Sequence, residues 1–282
     1  MRFARAEGNA RLGAALAARR PIVIASAGSG LVARCLELGG ADAVAAYSLA
    51  RFGIMGFPRL AGQMPFGNAN RLMLEYGVNE VLRAVRDVPV IAGVCATDPT
   101  IDIVSFLETL DAAGFSGVTN VPTVGTFGPG YFAQILEDTA MGSARELEML
   151  ELARRRGFWT MALVVTADEA KHAAAVGVDA IVPNAGLTGG GLFGARTGWI
   201  TEGVDDAARF TQELIDAART AATSALFLCH GGPISSVEDV AHVIAKTEAV
   251  GHFAGMALES LAIERAVTAR EREMKGITLG PR

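Results

Sequence analysis

Short apolar runs alternate with longer mixed segments along the chain, and this alternation is the strongest structural signal in the sequence. Eight of these runs are rich in apolar and β-branched side chains, as strands are. They are continuous rather than alternating, which is typical of strands buried on both faces of a parallel sheet. We therefore predict strands over residues 21–26, 42–48, 88–95, 117–122, 159–165, 179–184, 225–229 and 253–258.

The segments between the apolar runs have helical periodicity, most clearly at 102–114, 168–177 and 205–222. A further periodic segment predicts a helix over about 8–20, ahead of the first strand. Glycine commonly follows the last turn of a helix because it tolerates a left-handed backbone. On this basis we predict helix ends at Gly39, Gly114, Gly157, Gly177 and Gly251.

Eight strand–helix units predict an α/β fold, a TIM (β/α)8 barrel over about 21–275 in a single domain of residues 1–282. A doubly wound open sheet is the alternative, because it is built from the same units. The loops after the predicted strands are long and rich in glycine and aromatic residues, and they form the active face of a barrel. This asymmetry favours an enzyme; the longest such loops are 48–70, 123–134 and 184–198.

The composition narrows the class of protein. Hydrophobic residues make up 51% and charged residues 20% of the chain, which suits a large buried layer. The formal net charge is −5 without a basic cluster, so nucleic acid is not expected as a partner. No apolar stretch approaches the roughly 18 residues of a membrane span, and the N-terminus does not resemble a signal peptide. Three widely spaced cysteines exclude a disulfide framework or a CxxC zinc site, and they fit a cytoplasmic location.

A reactive pair ends the seventh predicted strand, where Cys229 and His230 precede Gly231–Gly232. The two glycines permit a sharp turn that a side chain would hinder. His230 is a candidate proton carrier near neutral pH, and a hydrogen-bonded strut is the alternative. Cys229 ends an apolar run, so we interpret it as packed rather than nucleophilic. Ser235 and Glu238 then form a candidate capping box for the next helix.

Charged residues also follow other predicted strands. Asp98 ends the third strand, where a carboxylate can bind Mg²⁺ or accept a proton. The alternative is a helix N-cap, because Pro99 follows it. Glu259 after the eighth strand and Arg51 after the second either belong to the site or are solvated. The remaining histidines lie in predicted helices or at helix ends without metal-ligand spacing: His172, His242 and His252.

Two glycine-rich turns are candidate anion sites. In "SAGSG" (26–30), backbone amides at the start of a helix can hold a phosphate or carboxylate. A tight turn with Ser29 as helix cap is the alternative, and the absence of GxGxxG argues against a dinucleotide. The glycines of 184–191 are a candidate anion cradle or lid hinge, with a flexible loop as the alternative.

Five motifs together resemble the phosphoenolpyruvate hydrolase-like family, also described as predicted TIM-barrel signal-transduction proteins. They are "SAGSGLVARCLELGGAD", "AGQMPFGNAN", "PVIAGVCATDP", "GFSGVTNVPTVG" and "LCHGGPI", and the resemblance runs from about residue 12 to 275. It implies kinship by fold with phosphoenolpyruvate/pyruvate-domain enzymes, which cleave or form C–C and C–P bonds next to a 2-oxo acid. A related domain occurs in plant virus-resistance proteins.

Position by position, the resemblance implicates Gly28, Gly30, Tyr47, Arg51, Asp98, Asn120, the glycine loop 188–191, His230, Gly231 and Gly232. With the other loop candidates, the predicted catalytic set is His230, Asp98, Glu259 and Asn184, and Asp98 is the candidate metal ligand. The predicted substrate-binding set is Gly28, Ser29, Gly30, Tyr47, Arg51, Asn120, Gly189, Gly190, Gly191, Gly231 and Gly232.

The chain departs from the family pattern at 127–130, 184–191 and 255–261. Asn184 stands where the family pattern has a histidine, and 255–261 lacks serines that could bind an anion. These differences argue against a phosphorylated substrate and indicate a divergent member.

These observations predict an enzyme that cleaves a C–C bond, or a C–P bond, next to a carbonyl in a small oxo-acid or β-dicarbonyl compound. The reaction needs an anion clamp, an enolate stabiliser and a proton carrier. Glycine-loop amides and Arg51 are predicted to clamp the anion, and His230 to carry the proton. Asp98 through Mg²⁺, or Asn120 and Asn184 directly, would stabilise the enolate. No nucleotide or organic cofactor is expected.

Two alternatives remain at this stage. One is a non-catalytic barrel that senses a metabolite or assembles with partners. The other is an aldolase or isomerase without hydrolysis, although Schiff-base chemistry is disfavoured because no lysine ends a strand. Apolar residues in 52–60 favour a homo-oligomer.

Overall fold

Eight parallel strands close into a barrel in the computed structural model, which describes residues 3–64, 67–128, 130–196, 198 and 200–280. Each strand pairs with its neighbour in sequence, and the last returns to the first. The TIM-barrel prediction is therefore confirmed. The strands are β1 (Ile22–Ser26), β2 (Ala43–Ala46), β3 (Val90–Gly93), β4 (Gly117–Thr119), β5 (Trp159–Val164), β6 (Ala180–Pro183), β7 (Leu226–Cys229) and β8 (Gly251–Ala254).

Helices cover the outside of the barrel and connect its strands. Within the described residues they are α1 (Arg5–Ala17), α2 (Gly30–Leu38), α3 (Ser48–Ile54), α4 (Ala69–Tyr76), α5 (Leu82–Ala84), α6 (Ile103–Ala113), α7 (Tyr131–Asp138), α8 (Ser143–Arg155), α9 (Ala167–Val176), α10 (Val204–Arg219), α11 (Val237–Lys246) and α12 (Ser260–Lys275). A π-helical turn joins α4 to α5, and 3₁₀ helices lie at Arg59–Gln63, Val124–Phe127 and Met256–Leu258. No helix in this part of the chain is long and apolar enough to span a bilayer.

Side chains of each strand alternate between two buried layers. Inward positions such as Ile24, Met161 and Phe253 form one apolar cluster inside the barrel. Outward positions such as Val118 and Cys229 pack in a second cluster between barrel and helices. Both layers exclude water, which explains why the strands read as unbroken apolar runs.

Helix α1 closes the amino-terminal end of the barrel. Arg5 donates from Nε to both carboxylate oxygens of Asp179 at 2.9 Å, and the indole of Trp159 donates to Asn9 Oδ1 at 3.0 Å. The helix begins three residues before the predicted range because the Glu7 carboxylate accepts from the backbone N–H of Ala4. With this end covered, the opposite end carries the loops that can form a site.

Strand β8 lies earlier than predicted. It begins at Gly251 and ends at Ala254, whereas the prediction was 253–258 with a helix ending at Gly251. Gly251 lies against the backbone of Ile22 so closely that a Cβ would collide with it, and this contact starts the pairing with β1. The prediction that His252 ends a helix is therefore wrong, because His252 is a strand residue.

Two predicted helix caps are also displaced. The box that starts α11 uses Ser236 and Asp239 rather than Ser235 and Glu238. Helix α6 is capped by Asp102, whose carboxylate accepts from the N–H of Ser105 at 2.8 Å, and not by Asp98. By contrast, Ser29 caps α2, as the alternative interpretation of its turn proposed.

Replacing Gly231 by alanine should lower the free energy of unfolding by about 2–4 kcal/mol. Its φ is +78°, and a Cβ there would collide with the carbonyl oxygen of Gly186. Gly13→Ala is the matched control, because that helical position has open space and the change should stabilise by about 0.5–1 kcal/mol. Urea unfolding followed by circular dichroism measures the free energy of unfolding of both variants. Equal changes in the two variants would contradict a strained turn at Gly231.

Candidate active site

A small cavity lies at the carboxyl-terminal end of the barrel. We call it the inner cavity; its volume is about 60 Å³. Its polar lining comes from the ends of different strands and from one loop, and its floor includes the ring of Phe253. Its polar lining includes Tyr47, Arg59, Gln63, Thr123, Asn184 and His230.

His230 is held as a neutral imidazole. Its Nδ1 lies 2.7 Å from the carbonyl oxygen of Phe253, which can only accept, so Nδ1 carries the proton. The pKa of His230 is lowered to about 4, mainly by burial and also by the positive charge of Arg59, while the Phe253 hydrogen bond opposes this shift. Within the described residues Nε2 has no hydrogen-bond partner. The side chain therefore presents an unprotonated nitrogen at neutral pH.

Asn184 sits beside His230 because their backbones form a parallel bridge where β6 and β7 end. Its Oδ1 accepts from the N–H of Gly186 at 3.1 Å, which fixes the orientation of the amide. Its Nδ2 has no partner among the residues that the structure describes. The inner cavity thus contains an amide donor next to a histidine base.

A buried ion pair that the sequence did not predict forms one wall of the inner cavity. Arg59 is 5% exposed, and its Nη1 donates to Glu259 Oε2 at 2.6 Å. Its Nη2 lies 3.5 Å from the hydroxyl of Tyr47. Glu259 is fully buried and also accepts from Ser26 and from the N–H of Gly28. Arg59 therefore lines the cavity, and Glu259 lies behind it and holds it in place.

Burial raises the pKa of Glu259, and the neighbouring Arg59 opposes that rise. Burial likewise raises the pKa of Tyr47, so its phenol is protonated at neutral pH. Glu259 is buried and not solvated, which corrects the alternative interpretation of that residue. Arg51 is 25% exposed and is paired with Glu80. Arg59 belongs to the long loop 48–70, and the length of that loop is the sequence feature that indicates a functional role for its residues.

Arg51 lies away from the inner cavity. It pairs with Glu80 at 3.0 Å, donates to the carbonyl oxygen of Gly28 at 3.0 Å and stacks on the ring of Tyr76. These contacts brace the turn after β1. The predicted anion clamp Arg51 is therefore not among the residues that line the inner cavity, whereas Arg59 is.

Asn120 is also engaged inside the protein. Its amide donates to Glu146 at 2.7 Å and to the carbonyl oxygen of Leu163 at 3.0 Å, and its oxygen accepts from the N–H of Leu163 at 2.7 Å. The structure leaves it no free donor for an enolate. Burial raises the pKa of Glu146 to about 8, although hydrogen bonds from its neighbours oppose that rise.

Two backbone amides of the turn after β1 are already engaged within the protein. The N–H of Gly28 donates to Glu259, and that of Gly30 donates to Glu80 at 3.3 Å. The hydroxyl of Ser29 accepts from Val32 at the start of α2. These three predicted binding residues therefore support neighbouring side chains and the start of α2.

The glycine loop after β6 contacts the inner cavity through residues earlier than predicted. Gly186, Leu187 and Thr188 line it, whereas Gly190 and Gly191 are exposed and Gly189 donates to the carbonyl oxygen of Gly232 at 2.9 Å. Gly231 and Gly232 have positive φ and form the turn under this loop.

Of the other divergent segments, Gly255 and Met256 line the inner cavity. Phe127 lies beside it in a second cavity, and Pro129 lies outside the described residues.

Asp98 faces that second cavity, which we call the outer cavity; its volume is about 710 Å³. Oδ2 accepts from Asn68 at 2.9 Å and Asn70 at 3.2 Å, and Oδ1 accepts twice from Thr100 at 2.9 and 2.6 Å. Burial raises the pKa of Asp98, but these hydrogen bonds outweigh it and the net shift is downward. Gln63 and Thr123 line both cavities, so Asp98 and His230 belong to adjoining spaces at the same end of the barrel.

The side chains do not fit a Mg²⁺ ion held by the protein. Such sites use one or two carboxylates with free oxygens. Both oxygens of Asp98 already accept two donors each, and those of Glu259 are taken by Arg59, Ser26 and Gly28. Within the described ranges, no group of three or more histidine, cysteine or acidic residues is arranged for a metal. The assignment of Asp98 as metal ligand is not supported by this geometry.

Comparison with known proteins places the barrel in a family. The model of the phosphoenolpyruvate hydrolase-like family matches residues 8–277. The chain belongs to that family. The resemblance read from its motifs is confirmed over nearly the same range.

This phosphoenolpyruvate hydrolase-like chain is 42% identical over 261 residues to the ToMV resistance protein Tm-1(GCR237) of Solanum lycopersicum. The match covers 92% of this chain and 34% of that protein, so the chain spans about a third of its relative's length.

Two solved structures share its barrel. Phosphonopyruvate hydrolase in complex with oxalate and Mg²⁺ is 16% identical, with a TM-score of 0.61 over 96% of this chain and 88% of that one. Phosphoenolpyruvate phosphomutase from Streptomyces platensis subsp. rosaceus is 17% identical, with a TM-score of 0.59 over 94% and 85%. At these identities the likeness concerns the fold.

Cys229 and His252 of this phosphoenolpyruvate hydrolase-like barrel face outward, away from the inner cavity. Burial raises the pKa of Cys229 to about 12, so the thiol is packed and unreactive, as its apolar strand predicted. His252 is 5% exposed, its Nδ1 donates to the carbonyl oxygen of Cys229 at 2.8 Å, and its Nε2 is buried without a partner in the described part of the chain. Burial, with a smaller effect of His230, lowers the pKa of His252 to about 4.

The pKa of His252 predicts how His252→Gln changes stability with pH. The unfolded histidine, with a pKa near 6.5, takes up a proton that the folded one refuses until about pH 4. Above pH 6.5, His252 therefore makes its full contribution to the free energy of unfolding. That contribution is lost as the pH falls from 6.5 towards 4. Buried carboxyls such as Glu146 have the opposite effect, because they stabilise the folded state as the pH falls. The test is therefore the difference in the free energy of unfolding between wild type and variant, measured by urea unfolding at each pH. That difference should shrink steadily from pH 7 to pH 4, and a constant difference would contradict the assignment.

Proposed function

We propose that this chain cleaves a carbon–carbon or carbon–phosphorus bond next to the carbonyl of a 2-oxo acid. One observation carries the proposal: a neutral histidine, a free amide donor and a buried guanidinium line the same small cavity. Membership of the phosphoenolpyruvate hydrolase-like family supports it. So does the fold shared with a phosphonopyruvate hydrolase that was solved with oxalate, a mimic of a pyruvate enolate.

Binding of the acid falls to Arg59. Its guanidinium can donate two parallel hydrogen bonds to a carboxylate, and its removal from water strengthens them. Glu259 fixes the guanidinium from behind without facing the cavity. The phenol of Tyr47 stays protonated and can donate beside it.

Bond cleavage falls to His230 and Asn184. Nε2 of His230 removes a proton from a water molecule or from a substrate hydroxyl. The water oxygen forms a bond to the phosphorus or carbonyl carbon of the departing fragment, which leaves as phosphate or as a carboxylic acid. A substrate hydroxyl instead becomes the carbonyl group of the departing fragment. The electrons of the broken bond then pass to the oxo-acid fragment as an enolate, and Nδ2 of Asn184 donates to its oxygen. The protonated His230 returns the proton to the enolate carbon, so the histidine ends as it began.

No step of this reaction is assigned to a metal. The Mg²⁺ belongs to the solved phosphonopyruvate hydrolase, and among the described residues of this chain no group of three or more histidine, cysteine or acidic side chains is arranged for a metal. A metal that arrives with the substrate would be detected in the assay below, which is run with and without Mg²⁺.

A second candidate is a barrel that binds an oxo-acid without converting it. It is favoured by the relative with 42% identity, whose name refers to resistance to a virus rather than to a reaction. Residue 184 is an asparagine where the family pattern has a histidine, which also fits a loss of catalysis. Binding without product is the result that would favour this candidate.

Replacing Asn184 by alanine tests the function. The purified chain is incubated with 2-oxo acids, β-dicarbonyl compounds and phosphonopyruvate, and products are identified by NMR. We expect turnover of at least one compound, lowered about 10²–10³-fold in Asn184→Ala by loss of the enolate donor. Asn9→Ala, at the closed end of the barrel, is the control and should keep its rate. Recovery of every compound unchanged would contradict the proposal.

A further inference from the structure

The outer cavity is much larger than the inner cavity, in which the reaction is proposed to take place. The inner cavity of about 60 Å³ accommodates a few water-sized groups, which suffices for the carboxylate and oxo carbon of an acid. The outer cavity of about 710 Å³ is more than ten times larger and joins it at Gln63 and Thr123. At this boundary Gln63 donates to the carbonyl oxygen of Thr123, so a substrate seated at His230 extends into the outer cavity when the Gln63 side chain turns aside.

One wall of the outer cavity is apolar and incompletely covered. Its members are Met64, Phe127, Phe132, Leu136 and Met141. Phe127 and Phe132 pack edge to face at 5.3 Å and are 44% and 53% exposed. Helix α7, which carries two of these residues, has no fully buried side chain. An apolar group bound here would remove aromatic surface from water, which is favourable.

The lining of the outer cavity also includes a carboxylate. Asp98 faces the outer cavity, and its four hydrogen bonds favour the ionised carboxylate. An anionic group there would be repelled by Asp98, whereas an uncharged one would not. The positive charge that can bind an acid, Arg59, lines the inner cavity only.

We propose that the outer cavity is a subsite for an uncharged aromatic or branched apolar substituent, so that the substrate is an aryl- or alkyl-substituted 2-oxo acid rather than pyruvate or a dicarboxylate. This assignment rests on the proposed function of the inner cavity, which would bind the acid end. The substituent displaces the Gln63 side chain from the carbonyl oxygen of Thr123, enters the outer cavity there and packs against the aromatic wall. Asp98 thereby acts in specificity and not in catalysis.

The test is isothermal titration of the whole chain with pyruvate, phenylpyruvate and 2-oxoglutarate. The first two lack a leaving group for the proposed cleavage, so binding is measured without turnover. Phenylpyruvate should bind at least about tenfold more tightly than pyruvate, because its ring is buried. 2-Oxoglutarate should bind no more tightly than pyruvate.

Two neighbouring aromatic residues of α7 provide matched variants. Phe132 lines the outer cavity, whereas Tyr131 is 84% exposed and does not line it. Both are exposed enough for replacement by asparagine without loss of the fold. Phe132→Asn should lower the preference for phenylpyruvate at least about threefold with unchanged pyruvate affinity, and Tyr131→Asn should keep the preference.

The outcomes separate the two proposals. Pyruvate that binds with no gain from the phenyl ring, or a preference that survives in Phe132→Asn, overturns the subsite and leaves the proposed function intact. Tighter binding of 2-oxoglutarate than of phenylpyruvate also overturns the subsite. Failure of all three acids to bind overturns the proposed function together with the inference.

Discussion

Replacing His230 by asparagine is expected to lower kcat about 10²–10⁴-fold, the usual cost of losing a proton carrier. The asparagine amide can still donate to the carbonyl oxygen of Phe253, as Nδ1 of His230 does at 2.7 Å. The fold should therefore persist while the base is lost. Steady-state turnover of whichever substrate the NMR screen identifies measures the effect.

The pH profile distinguishes loss of a base from a structural effect. With a pKa of about 4, His230 is unprotonated above that pH, so kcat/KM of the wild type should fall only as the pH drops through about 4. An acid limb near 6.5 would show that burial does not control this histidine. His172→Asn, exposed on α9, is the control and should keep full activity. Near-normal turnover in His230→Asn would remove His230 from the mechanism.

Replacing Arg59 by methionine is expected to lower the free energy of unfolding by about 3–5 kcal/mol. The change leaves the fully buried carboxylate of Glu259 without its ion-pair partner, and only Ser26 and the N–H of Gly28 still donate to it. The double variant Arg59→Met with Glu259→Leu removes both charges and should recover most of the lost stability. Urea unfolding of the two single variants and the double variant measures this coupling.

Ligand binding then separates the structural role of Arg59 from its proposed role as anion clamp. The double variant should fold but fail to bind a 2-oxo acid. Arg51→Met removes a partly exposed pair with Glu80 and should cost about 1 kcal/mol with binding retained. A stable double variant that binds the acid as the wild type does would show that Arg59 is not the clamp.

The fold could be predicted from the sequence because each of its parts is a local pattern. Unbroken apolar runs mark strands buried on both faces, and the alternation of strands with helices leaves few architectures. Strand β8 was displaced because its start depends on a contact of Gly251 with the backbone of Ile22, which no local pattern reveals. The number of domains stays a prediction, as does the homo-oligomer suggested by the exposed apolar residues Met55, Phe57 and Leu60.

The site could be predicted only where it follows from strand register. Tyr47, Asn184 and His230 come directly after strands at inward-facing positions, so their convergence follows from the closure of the barrel. Arg59 lies in a loop with no periodicity, and its burial depends on a partner 200 residues away. The glycine turns were ambiguous, because a sequence does not show whether a backbone N–H is already paired, as that of Gly28 is with Glu259.

The most direct test is a crystal structure of the protein soaked with oxalate, which mimics the enolate of pyruvate. We expect oxalate in the inner cavity, with one carboxylate on the guanidinium of Arg59 and the other within hydrogen-bond distance of Asn184 Nδ2 and His230. Oxalate bound elsewhere, for example on Asp98 through a metal ion, would contradict it. So would a cavity in which Arg59 and His230 are separated by ordered side chains.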